Sequence, residues 1–276
     1  MAQSGRPLPE YENPPVSEVA LAIAFAPLAN WRVAHGGLFW GTIQADYPVT
    51  QTQNPLPPQI ERFGAAGLVQ APALAVEMVD PDTARFWYLS QTGNDLVQVQ
   101  PDRFVVNWRK VTGEEVYPRY DAEMRPRLER EWNRFQQFIN RQDIGPLVVQ
   151  QCEVTYVNDI LRGEGWESFS DAINLFSLPS GRFTEGFLEE LETINIAGTF
   201  LMPEEYQGRL HFAIQKLRRS ADQRELVQLR LTARGKPMSS DIDGALRWLD
   251  IGREWIVRGF TDLTSKEAHQ LWRRTR

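Results

Sequence analysis

Arg103, Asn107 and Arg109 occupy odd positions of the run Arg103-Phe104-Val105-Val106-Asn107-Trp108-Arg109. In an extended chain they project from one face, and Phe104, Val106 and Trp108 from the other. Just before them Gln98 and Gln100 alternate with Val97 and Val99. Guanidinium groups donate in a planar fork and side-chain amides both donate and accept, so such a row suits a planar or anionic ligand. Glu153 extends the set: on a strand it shares a face with Thr155, while Val154 and Tyr156 take the other face. As a general base, Glu153 would need a pocket that raises its pKa. The competing reading, which the spacing favours, is a solvated sheet face or an internal network joining these arginines to Glu153.

Other chemistries find less support. No Gly-x-x-x-x-Gly-Lys-Ser/Thr, Gly-x-Gly-x-x-Gly, His-Glu-x-x-His or Gly-x-Ser-x-Gly pattern occurs, so phosphate-cradling loops and serine hydrolysis lose their usual signatures. His35, His211 and His269 lie far apart, none with a second His or Cys at metal-ligand spacing. Asp241 and Asp243 offer hard oxygens for a divalent cation, but a helix cap at Ser240 or Asp241 explains them better. Cys152, the one cysteine, sits in an apolar run and reads as a buried small hydrophobe. The basic clusters at 125–134, 216–219 and 273–276 read as solvated faces. No catalytic residue, metal site or cofactor is therefore expected.

The elements that would carry these residues follow from periodicity. Residues 1–15 are polar and proline-rich and read as an extended arm without its own core. Residues 16–25 alternate as a strand, and 38–47 read as a short helix stopped by Pro48. From Thr50 to 81 the Gln, Asn, Pro and Gly content predicts a long irregular connection. Strands follow at 85–90, 96–100 and 103–109, the last two joined by a Pro101-Asp102 turn. A helix over 120–141 carries the stripe Leu128, Trp132, Phe135 and Ile139, beginning near Pro126. The order then repeats: strand 147–157, helix 166–176, strands 188–201, 209–218 and 225–233, and a long amphipathic helix around Leu246 to Leu263. Thr264 and Glu267 suggest a capping box for a last short helix.

These patterns predict an α+β fold of two similar halves, 16–144 and 145–276. Each reads strand, helix, three strands, helix. The sheet is expected to be mostly antiparallel, with long helices packed on one face. Trp40 and Trp166 fall in the two short helices and Trp132 and Trp255 midway along the two closing ones, so internal duplication is the economical account. The cleft between halves is then the natural ligand site.

Composition bounds the partners. Hydrophobic residues make up 42% of the 276, ample for a sizeable core. A net charge of -6 disfavours nucleic acid, whose binding rests on clustered cations. No apolar stretch approaches a membrane span and no signal peptide stands at the start, so a soluble cytoplasmic protein is expected. A homo-oligomer stays open.

Several stretches resemble a sporadically distributed family of prokaryotic proteins of about this length with no assigned activity. They are residues 14–19, 96–109 (with the Gln-Val-Gln and Asn-Trp-Arg blocks), Tyr117-Pro118-Arg119-Tyr120, residues 152–158 from Cys152 to Asn158, and 249–254 with the tail through Trp272. The resemblance implies no chemistry and no site residues; its patchy distribution resembles that of mobile elements. The expectation is a non-catalytic binding or regulatory protein, an accessory, immunity or antitoxin-like partner from a mobile or phage-defence locus, with a protein partner encoded nearby. Two alternatives stand beside it. One is a sensor of a small polar or nucleotide-like ligand held by Gln98, Gln100, Arg103, Asn107, Arg109 and Glu153. The other is an enzyme using Glu153 as general base.

Overall fold

A computed structural model describes residues 7–57, 59–63, 81–177, 192–193, 195–219 and 222–276. The alternating apolar positions of β1 (Val16–Phe25) place Val19, Leu21, Ile23 and Phe25 on one buried face. β1 lies at the heart of the sheet, between β5 (Arg103–Arg109) and β6 (Val149–Leu161), so Leu21 stands between Val106 and Val154. β2 (Val49–Gln53), β3 (Arg85–Leu89) and β4 (Asp95–Gln100) extend the sheet beyond β5. On the other side β9 (Glu225–Gly235), β8 (Gly208–Arg218) and β7 (Asn195–Leu201) extend it beyond β6. The order is β2-β3-β4-β5-β1-β6-β9-β8-β7, and every pairing is antiparallel.

Two long helices cover one face. α2 (Arg125–Arg141) follows a single π-helical turn, Tyr120–Met124, and carries Pro126 in its first turn, where a missing N–H costs nothing. Its stripe of Leu128, Trp132, Phe135 and Ile139 is fully buried. Phe135 stacks on Phe104 at 5.1 Å and Trp132 meets Phe25 edge-on at 5.9 Å. α4 (Ile242–Leu263) lies over β6, β9 and β8 and touches α2. Gly252 permits that approach, because a Cβ there would stand 3.2 Å from Val154 and 3.4 Å from Ala233. Each Phe so buried contributes about 1.5 to 3 kcal/mol. The shorter helices are α1 (Val33–Ile43), α3 (Phe169–Ile173) and α5 (Lys266–Leu271). No helix among the described residues is long and apolar enough to cross a membrane.

Several expectations need correction. A strand, β2, occupies the start of the supposedly irregular 50–81 connection, so four strands rather than three follow α1. Val49-Thr50-Gln51-Thr52-Gln53 is exposed or half-exposed throughout and is held by backbone pairing with β3, which leaves no apolar periodicity to detect. Residues 64–80 of that connection, and 188–191 of the expected 188–201 strand, lie outside the described residues. Trp166 precedes α3 and sends its indole N–H to the Ile160 carbonyl. The last helix is capped by Ser265, whose hydroxyl accepts from the Ala268 amide. Thr264 instead bonds the Phe260 carbonyl and His269. The N-terminal arm packs on the body: Tyr11 is buried against Phe260, hydrogen-bonded to Thr261, and bridged to Arg274.

Candidate functional site

Phe104 and Val106 of β5 face α2, so Arg103, Asn107 and Arg109 must project from the opposite, helix-free face. The register carries Gln98 and Gln100 of β4 and Glu153 of β6 to the same face. Ala22 pairs with both Val105 and Glu153, and Ala20 and Ala24 lie along the same strand, so small residues floor the space between β5 and β6.

Most polar groups on this face are already committed. The Gln98 amide donates to Asn107 Oδ1 at 2.7 Å, and Asn107 Nδ2 donates to Glu18 Oε1 at 2.7 Å. Gln98 Oε1 accepts from Trp87 Nε1 at 2.9 Å and from Arg85 at 3.0 Å. Both amides are buried, at 6% and 2% exposure, which makes this chain costly to break. Gln100 makes a two-way bond with the backbone of Leu56, 3.1 Å in each direction. Gln151 does the same for the next stretch, accepting from Glu61 N at 2.8 Å and donating to the Gln59 carbonyl at 2.6 Å. Arg209 and His211 of β8 then clasp the Glu61 carboxylate, the His211 contact at 2.7 Å. Residues 54–57 and 59–63 thus cross the polar face from β4 to β8, their backbone bonded by glutamines of the strands beneath.

Three guanidinium groups remain with little countercharge. Among the described residues Arg85, Arg103 and Arg109 make no ion pair; they bond Gln98 and the carbonyls of Pro57 and Gly93. Arg85 and Arg109 flank the Trp87 ring at 5.3 and 5.5 Å. Burial, with Arg103 nearby, lowers the pKa of Arg85, and its Nε is buried without a hydrogen-bond partner. Glu18 stands opposite Arg109 in the register, but one of its oxygens is taken by Asn107. The result is an anion-receptive cluster beside an aromatic face.

Glu153 is not joined to that cluster. Its carboxylate pairs with Arg234 of β9 and accepts from the Thr155 hydroxyl at 3.2 Å, so the expected network of Glu153 with Arg103 and Arg109 is replaced by a bond between neighbouring strands. Asp241 caps α4 through the Gly244 amide at 2.8 Å. Cys152 is fully buried, and burial pushes its thiol well above its ordinary pKa. In the first basic cluster Arg125 pairs with Asp250, Arg127 with Asp95, and Arg130 and Arg134 with the buried Glu131.

Arg85, Trp87, Glu18 and the crossing segment escaped the sequence reading. Arg85 and Trp87 do alternate with Phe86 and Tyr88, but a tryptophan in a strand is ordinarily assigned to the core, which hides its part in a polar face. No protein-family model matches this chain, and no curated protein matches it.

Proposed function

We propose that the protein is a non-catalytic binding protein that senses a small anionic, nucleotide-like ligand on the polar sheet face. The observation that carries this reading is the cluster of Arg85, Arg103 and Arg109 around Gln98 and Trp87, without an ion-pair partner among the described residues and with Arg85 Nε unpaired. Phosphate oxygens match guanidinium forks, and a planar base or ring can stack on the guanidinium planes that lie over Trp87. The amide chain through Gln98, Asn107 and Glu18 holds the cluster in shape before a ligand arrives. Glu153, committed to Arg234, serves the scaffold in this reading.

The strand order supports the two-halves reading of 16–144 and 145–276. β1 and β6 pair centrally, and each is flanked outward by the last strand before a long helix, β5 or β9, and then by β4 and β3 or by β8 and β7. A duplicated unit joined edge to edge through its first strand produces this arrangement, and the crossing segment then spans the junction.

Thermal unfolding with ATP, AMP and pyrophosphate, with adenosine as the uncharged control, tests the proposal. Ligand at 100 times Kd adds about 2.7 kcal/mol, or roughly 5 to 10 °C at this size. The shift should vanish in Arg103→Gln and shrink in Arg109→Gln. No shift with any anion, or a shift indifferent to both substitutions, overturns it.

A further inference from the structure

A cavity of about 390 Å3 lies on the other, helix-covered face of the sheet. It opens between α4, the far end of β6 and the loop ahead of α2, and the arm at Pro7 to Tyr11 borders it. Leu231 and Ile256 give it apolar wall, and three arginines line it: Arg119 bonds the Tyr11 carbonyl, Arg276 pairs with Glu10, and Arg253 lies among Tyr117, Tyr120 and Tyr156. Segments on which the sequence resemblance rests line it together: Pro14 and Val16, Tyr117 to Tyr120, Tyr156 and Asn158, and Arg253.

Among the described residues, the donors here carry hydrogens beyond the bonds they make. The Tyr117 and Tyr156 hydroxyls are 2.6 Å apart, and one shared bond uses one of their two hydrogens. Burial pushes both phenols above their ordinary pKa, so both hydrogens are present at neutral pH. Arg253 lies 5.5 Å over the Tyr120 ring, and among the described residues its ion pair is with Asp121 at 3.7 Å, a side chain 78% exposed and well screened. The guanidinium also donates to the Tyr156 hydroxyl, and among the described residues its Nε is buried with no hydrogen-bond partner. Asn158, which also lines the cavity, spends one of its two amide hydrogens on the Leu229 carbonyl at 3.1 Å. A guanidinium N–H and a phenol O–H thus share a cavity with the apolar wall of Leu231 and Ile256.

We propose that this cavity binds a small monocarboxylic acid with an apolar or aromatic body, its carboxylate taken by Arg253 and the Tyr117–Tyr156 pair. Two donors match two carboxylate oxygens. Arg276 is paired with Glu10 and Arg119 with the Tyr11 carbonyl, so Arg253 is the guanidinium left to meet a single carboxylate. The volume lies at the small end of ligand-sized pockets, which suits a single ring or short chain.

Isothermal titration with benzoate and phenylacetate, against neutral benzamide, tests it. The acids should bind, and benzamide should bind at least tenfold more weakly, because it brings no charge to Arg253. Arg253→Met should cost at least tenfold in benzoate affinity and Tyr156→Phe about threefold to tenfold. In Arg103→Gln, which weakens the anion cluster on the other face, the Arg253-dependent benzoate affinity should persist; loss of all benzoate binding in Arg103→Gln would assign the acid to that cluster and overturn the proposal. Absence of binding at millimolar acid, equal binding of benzamide, or unchanged affinity in Arg253→Met overturns the proposal. If Arg253→Met fails to fold by circular dichroism, the benzamide comparison and Tyr156→Phe decide alone, and equal affinities in both sink it.

Discussion

Asn107 is the residue on which the organisation of the polar face turns, and replacing it tests whether that face is a preformed network. It is 2% exposed, accepts from Gln98 Nε2 at 2.7 Å and donates to Glu18 Oε1 at 2.7 Å. Asn107→Leu keeps the branching at Cγ and removes both bonds. The Gln98 amide then loses a partner at a cost of about 1 to 3 kcal/mol, and the charge-assisted bond to Glu18 adds about 1.5 to 3 kcal/mol. Because Glu18 retains some access to water, the total should fall near 3 to 4 kcal/mol. Asn107→Asp sharpens the test. Its Oδ1 still accepts from Gln98, but its second oxygen faces the Glu18 carboxylate, and two carboxylates in contact raise the pKa of one of them. A raised folded pKa means stability fully present below the unfolded value, about 4, and lost as pH rises through the folded one. Urea unfolding should therefore find Asn107→Asp close to the parent at pH 4 and clearly weaker at pH 7, with Asn107→Leu weak at both. Asn107→Leu within about 0.5 kcal/mol of the parent, or a pH-independent Asn107→Asp, would refute the network.

Three further substitutions address the crossing segment and the helix packing. Burial works to raise the Glu61 pKa, but hydrogen bonds from His211 and Arg209 hold it below its ordinary value. That stability is present above the unfolded carboxyl value and is lost as pH falls through the lower folded one. Amide exchange in residues 59–63, taken relative to the intrinsic rate at each pH, should speed up below about pH 4 in the parent protein. In Glu61→Gln it should already be about ten- to thirtyfold faster at neutral pH and lack the acid-dependent rise. Gly235→Ala would put a Cβ 2.6 Å from Cε2 of buried Trp248 and 2.5 Å from the Gln207 carbonyl, while Trp248 is pinned by its bond to the Tyr206 carbonyl at 2.8 Å. It should cost about 2 to 3 kcal/mol, whereas Gly37→Ala on the open side of α1 should gain about 0.5 to 1 kcal/mol. Melting temperatures that move the same way in both would contradict the packing.

Some elements were plain in the chain because one segment held the whole signal. The Leu128, Trp132, Phe135 and Ile139 stripe identifies α2, and alternation in 16–25 and 103–109 identifies β1 and β5, since burying one face imposes its own period on residues adjacent in sequence. β2 was illegible because backbone pairing alone holds it. The Gln98, Gln100, Arg103, Asn107, Arg109 face was readable as a face, but not what its members bond.

By itself the sequence determined an α+β chain, an antiparallel hairpin at 96–109, two long amphipathic helices and a polar row on one side of β5. Only the tertiary structure decided that Gln100 and Gln151 bind the chain's own backbone, that Glu153 belongs to Arg234, and that Arg85 and Trp87 join Arg103 and Arg109. It alone also brought Tyr117, Tyr156 and Arg253 to one cavity. The physical reason is range. Side-chain periodicity is written by neighbours within one element, whereas hydrogen-bond partners on this face are supplied by strands and a crossing segment up to 150 positions away.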